Sequence, residues 1–177
     1  MGEVQGAGER NGQGMILRVG NMWDETAHVV MVTTNATVRR IGTLVMGRGA
    51  AKEAADRNPR LTGWAGRRIW ELEEEYGKKP VDYGLLITPM VDRTAGSIWL
   101  FQVKWDWWNK ASVGLIEKSV DEFMDVLDGK SGRAMQLLAR GKVSLNFPGI
   151  GNGGLGREEV LPLIARLPNN VTVWEKG

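Results

Sequence analysis

Twice in this chain a short apolar run stops at a glycine-rich segment that opens directly into helix-forming residues. The first such segment is Met46-Gly47-Arg48-Gly49-Ala50-Ala51 and the second is Gly149-Ile150-Gly151-Asn152-Gly153-Gly154. Glycine adopts backbone angles closed to other residues, so its amides can approach an anion closely, and a helix start adds partial positive charge. Four glycines in six positions of the second segment cost much chain entropy, which a plain connection does not explain.

Around these segments the residues alternate between strand and helix patterns. Met15–Val19 reads as a strand, broken by turn chemistry from Gly20 to Asp24. The run His28–Thr34 is β-branched and continuous, which predicts a strand covered on both faces. Asn35–Gly49 reads as a loop, Ala50–Ala55 as a helix ended by Pro59, and Leu61–Tyr76 as a helix. That last helix is expected to turn Leu61, Trp64, Ile69 and Leu72 inward and its glutamates outward. Tyr83–Ile87 and Ser97–Val103 read as strands, separated by a turn from Asp92 to Gly96. Ser112 is placed to cap an amphipathic helix over Val113–Leu127, and a shorter helix is expected at Ala134–Leu138. Lys142–Phe147 reads as a strand, Arg157–Leu167 as a helix with Glu158 and Glu159 in its first turn, and Val171–Trp174 as the last strand. The expected fold is one α/β domain over residues 15–177, with a mostly parallel sheet between helix layers and a flexible tail over residues 1–14. Both glycine segments follow strands, so they belong on one edge of such a sheet, where two sets of amides would suit a diphosphate.

Composition removes several alternatives. With no cysteine and one histidine, His28, thiolate zinc sites, cysteine nucleophiles and Ser-His-Asp chemistry are excluded. No metal and no other cofactor is expected. A net charge of +2 is too small to argue by itself for a nucleic-acid partner. No apolar run reaches the roughly 20 residues of a membrane span, and the polar start lacks the apolar stretch of a signal peptide, so a cytoplasmic protein without a membrane partner is expected. Neither loop ends in Gly-Lys-Ser/Thr, so a P-loop is not supported. Gly149, Gly151 and Gly154 do fit G-x-G-x-x-G, with Glu175 about 20 residues on, but too little chain follows to complete a dinucleotide-binding half.

Val32-Thr33-Thr34-Asn35, then Met46 to Ala51, then Phe147-Pro148-Gly149-Ile150-Gly151-Asn152-Gly153-Gly154-Leu155 resembles the macro domain family over nearly the whole chain. The likeness is nearest to the branch of terminal ADP-ribose protein glycohydrolases and DNA ADP-ribosyl glycohydrolase antitoxins, and extends to macro-like proteins of phages and bacteria. The resemblance implies a three-layer α/β/α sandwich with a mixed sheet and an ADP-ribose cleft. It implies ligand contacts from Asn21, Met22, Thr34, Asn35, Gly47, Arg48, Gly49, Ala50, Gly149, Ile150, Gly151, Asn152, Gly153, Gly154 and Trp174. Gly20-Asn21-Met22 stands where the family has Gly-Asp-Ile/Leu against adenine, so a carboxylate acceptor is exchanged for an amide, with Asp24 as a substitute acceptor. Trp174 is placed either beside adenine or in ordinary sheet packing.

The same resemblance assigns to Lys104 the role of a nucleophile on the ribose anomeric carbon, through a Schiff base. Partial burial beside Trp105, Trp107 and Trp108 would favour its neutral amine. Some relatives carry an acid/base aspartate in the second loop, and Gly153-Gly154-Leu155 offers no carboxylate. The function implied is an ADP-ribosyl hydrolase acting on modified nucleic acid or protein. The alternatives are a non-catalytic ADP-ribose reader and a phosphatase acting on ADP-ribose-1″-phosphate. The tryptophan cluster is read as packing over the cleft or as a platform for nucleic-acid bases. Arg39 and Arg40 are read as loop residues that steer phosphates or remain solvated, and His28 as structural. A monomer is expected.

Overall fold

The computed structural model describes residues 9–10 and 14–177; most of the segment expected to be a flexible tail lies outside them. Among the described residues, the strands are β1 (Glu9–Arg10), β2 (Ile16–Val19), β3 (Val29–Thr34), β4 (Leu85–Asp92), β5 (Gly96–Gln102), β6 (Val143–Asn146) and β7 (Val171–Glu175). They form one sheet in the order β1-β2-β7-β6-β3-β5-β4. From β2 to β5 the neighbours run parallel, while β1 and β4 pair antiparallel at the two edges.

The continuous apolar runs are covered on both faces, as their lack of polar alternation requires. Val29, Met31, Trp99 and Phe101 enter the core beneath α3 (Val113–Leu127), α4 (Arg133–Arg140) and α5 (Arg157–Ile164). Val30, Val32, Ile98 and Leu100 alternate with them into a second core beneath α1 (Gly49–Arg57) and α2 (Leu61–Tyr76). The result is the expected three layers.

Local signals operate where the residues place them. Ser112 accepts a hydrogen bond from the Leu115 amide and caps α3 (3.2 Å). Glu159 accepts from the Gly156 amide at the start of α5. His28 Nδ1 accepts from the Lys142 amide (2.9 Å) and ties the start of β3 to β6.

Four expectations need correction. The strand expected at Tyr83–Ile87 begins at Leu85 and runs to Asp92, because Tyr83 turns its phenol inward to the Asn35 carbonyl (2.6 Å) and the Thr34 hydroxyl (2.5 Å). The helix at Arg157–Leu167 ends at Ile164, and the one at Ala134–Leu138 extends over Arg133–Arg140. The glutamates of α2 do not all face outward: Glu73 is buried beside Leu61, Ala65 and Ile69. Burial pushes its carboxyl above the usual range, and Asp106 adds to this against Lys79 and a hydrogen bond from the Val81 amide.

Candidate functional site

The carboxyl ends of β3, β5, β6 and β7 lie on one edge of the sheet, since all four strands are parallel. β3, β5 and β6 release loops there, as does β2 beside β7, and these loops enclose a cleft of two lobes. The larger lobe, about 560 Å³, is lined by residues following β3, β5 and β6, including Asn35, Gly47, Arg48, Lys104, Trp107 and Asn152. The smaller, about 310 Å³, lies toward β2 and β7 and is lined by Asn21, Met22, Glu53, Gly151, Trp174 and Lys176 among others. Gly49, Ala50, Asn146, Phe147 and Ile150 border both lobes and form a waist between them.

The waist is built by the two glycine segments. α1 starts at Gly49 without a side-chain cap, so the first-turn amides of Gly49, Ala50 and Ala51 have no acceptor within the helix. Gly49 has φ +57°, and a Cβ there would meet nothing within 4 Å. The second segment curls into a 3₁₀ turn over Gly151–Gly153, again uncapped, with Gly153 donating to Ile150 O (3.1 Å). Two sets of open amides therefore meet at one constriction, an arrangement suited to an anion held between the loops.

Charge follows the same division. Among the described residues, Arg39, Arg48 and Lys104 are the charged residues lining the larger lobe, and no Asp or Glu lines it. Lys104 lies just beyond β5, where Thr34 O accepts from the amides of Val103 (2.9 Å) and Lys104 (3.3 Å). Its ammonium nitrogen donates to the carbonyl oxygens of Trp107 and Asn152, each at 3.2 Å. Burial pushes its pKa down from the ordinary lysine value, and the Arg48 guanidinium pushes it further the same way. Among the described residues, no three His, Asp or Glu side chains are grouped to hold a metal ion.

Lys104 and, except for Gly154, all the residues expected to contact the ligand line one lobe or the other. Gly154 closes the 3₁₀ turn by donating to Gly151 O (3.0 Å). Asn35 lines the larger lobe, but its side chain is already engaged: Nδ2 donates to Val45 O (3.0 Å) and Oδ1 accepts from Thr37 N (2.8 Å). Asn21 Oδ1 accepts from Trp23 N (3.1 Å), which fixes the amide orientation, and Nδ2 donates to Asp24 Oδ1 (3.5 Å). Asp24 does not line the cleft. Trp174 lines the smaller lobe and also donates from Nε1 to the Ser144 hydroxyl (3.1 Å) inside the sheet. Arg18 stacks 4.4 Å from its ring. Trp107 lines the larger lobe; it and Trp108 are exposed and meet edge to face at 5.8 Å.

Lining residues that were not anticipated include Thr37, Val45 and Asn146 in the larger lobe and Glu53 and Lys176 in the smaller. Asn146 is the last residue of β6, with its amide clasping Thr33 through Oδ1 to Thr33 N (2.9 Å) and Nδ2 to Thr33 Oγ1 (2.8 Å). A polar residue ending a buried strand just before a glycine loop is the signal that marks it.

This mixed sheet, with two glycine loops converging at the carboxyl edge of its parallel strands, is the macrodomain fold. No family model and no curated protein matches the sequence. Solved structures do match. Thermosipho africanus DarTG in complex with ADP-ribose superposes with a TM-score of 0.68 at 20% identity, over 96% of this chain and 43% of that one. This chain thus spans less than half the length of that protein. The macrodomain of Mycobacterium tuberculosis DarG gives 0.61 at 17% identity, over 93% and 100% of the two chains. An Oceanobacillus iheyensis macrodomain with MES bound gives 0.58 at 15% identity, over 94% and 86%.

Proposed function

We propose that the cleft binds ADP-ribose and that the protein removes ADP-ribosyl groups from a modified macromolecule, with Lys104 as nucleophile. The observation that carries this reading is the convergence of the Gly49 and Ile150 segments on one waist, with a cationic lobe on one side and an aromatic lobe on the other. The pyrophosphate sits at the waist, the base by Met22 and Trp174, and the distal ribose beside Asn35 and Lys104. That a DarTG structure carries ADP-ribose on the same fold supports the choice of ligand.

The chemistry follows from the lysine environment. A neutral amine keeps two N–H groups, one for each carbonyl it meets, and leaves its lone pair free. Attack on the anomeric carbon forms a carbon–nitrogen bond and breaks the bond to the modified group. The proton lost by nitrogen passes to the leaving atom. Ring opening gives an imine, and water then adds to it, releasing ADP-ribose and the free amine.

A binding-only role is the second reading, favoured by the lack of any carboxylate in the lining of the larger lobe. Calorimetry with ADP-ribose, followed by turnover of ADP-ribosylated DNA, ADP-ribosylated protein and ADP-ribose-1″-phosphate, separates the cases. The hydrolase reading expects binding and release of ADP-ribose from a macromolecule, lost in Lys104→Ala. Binding with no turnover of any of the three leaves the reader; undiminished turnover by Lys104→Ala removes the lysine mechanism.

A further inference from the structure

A second hydrogen-bonded system lies behind Lys104. The Thr37 hydroxyl donates to Asp106 Oδ1 (2.9 Å) and accepts from the Trp107 amide (3.0 Å). Asp106 and Asn109 close the turn between them, with the Asp106 amide donating to Asn109 Oδ1 (2.8 Å) and the Asn109 amide donating to Asp106 O (3.0 Å). The Ala36 amide donates to Trp105 O (3.0 Å). The segment after β3 therefore grips the segment after β5 at three points, two of them on one hydroxyl. The residue whose amide Thr37 holds is the residue whose carbonyl accepts from Lys104. Thr37 itself is held by Asn35, whose Oδ1 accepts from the Thr37 amide.

We propose that Thr37 is a positioning residue for Lys104, acting through the Trp107 backbone; this rests on the lysine mechanism above. Without the hydroxyl, the peptide that carries the Trp107 amide loses its partner, the φ and ψ of Trp107 are less constrained, and the Trp107 carbonyl on the following peptide becomes free to turn from Nζ. One of the two acceptors that aim the lysine is then lost. Asp106 and the Trp107 amide are near enough to solvent to be rehydrated, so the fold does not depend on this bond. The aim of the amine does.

Thr37→Val keeps the side-chain shape and removes the hydroxyl; Thr37→Ser keeps the hydroxyl. With turnover, ADP-ribose affinity and melting measured together, Thr37→Val is expected to lower kcat by about 10- to 100-fold, the scale of a small misplacement of a reacting group. Its Kd for ADP-ribose stays within about twofold of the parent, and Thr37→Ser recovers most of kcat. The ε-methylene NMR signal of Lys104, followed with ¹³C-labelled lysine, reports the aim directly: two inequivalent protons in the parent and in Thr37→Ser, averaged in Thr37→Val. An unchanged kcat in Thr37→Val, a Kd that rises by the same factor as kcat falls, or a serine variant no better than valine overturns the proposal. Lys104→Ala in parallel separates the two readings, because its full activity would remove the lysine mechanism itself. If the parent shows no turnover, the Lys104 signal alone decides, and an unaltered signal in Thr37→Val overturns the positioning role.

Discussion

Lys104 and Asn152 are 48 positions apart in the chain, yet the lysine nitrogen donates to the asparagine carbonyl oxygen at 3.2 Å. The bond ties the end of the fifth strand to the second glycine loop. It places the one amine of the larger lobe against the loop that forms half of the waist.

The first prediction concerns pH. Burial and then Arg48 lower the Lys104 pKa, and the neutral amine is the reactive form. On the proposed mechanism turnover should therefore rise with pH, with the midpoint of the limb below the ordinary lysine 10.5. Arg48→Gln removes a like charge, so the rising limb should move to higher pH. Lys104→Arg, which stays protonated throughout, should bind ADP-ribose without turnover at any pH. A rate profile for the three proteins checks this, and a limb unmoved by Arg48→Gln would count against the electrostatic account.

A second prediction separates glycines that face the ligand from glycines that face the fold. A Cβ at Gly47 would meet nothing within 4 Å. Gly47→Ala should melt within about 0.5 kcal/mol of the parent while binding ADP-ribose several-fold more weakly. A Cβ at Gly66 would lie 2.0 Å from the Gly42 carbonyl oxygen, where α2 crosses the turn before Leu44. Gly66→Ala should cost about 3 kcal/mol or more, because backbone rather than a flexible side chain must yield. Denaturant unfolding with parallel calorimetry tests both.

The third prediction concerns the base. Asn21 Oδ1 accepts from the Trp23 amide (3.1 Å), and Nδ2 donates to Asp24 Oδ1 (3.5 Å). Asn21→Asp keeps one oxygen for the cap and replaces that donor by an acceptor for the exocyclic amine of adenine. The added charge weakens both ADP-ribose and inosine diphosphate ribose, which carries a carbonyl at that position, so the readout is their ratio. Affinity for ADP-ribose relative to inosine diphosphate ribose should rise several-fold in Asn21→Asp, and an unchanged ratio would show that no hydrogen bond to the exocyclic amine forms.

Much of this molecule can be read from local chemistry. The runs at Val29–Val32 and Ile98–Phe101 are apolar throughout, and only a strand covered on both faces needs that. Helices α2 and α3 follow from spacing, and α3 also from Ser112. The glycine loops were visible from their composition, and Gly49, Gly149, Gly151 and Gly154 all take positive φ, which explains why glycine is needed there. What was not legible depends on partners distant in sequence. Tyr83 leaves its strand for Asn35, 48 positions earlier, and Glu73 turns inward to a site completed by Val81 and Asp106. Thr37 carries no local mark, since its role arises only when Asp106 and Trp107 fold back upon it.

The shared border of Gly49, Ala50, Asn146, Phe147 and Ile150 has a kinetic consequence. On the reading proposed above, these residues hold the part of the ligand that cleavage leaves unchanged, so free ADP-ribose is expected to compete with the substrate for the same narrow passage.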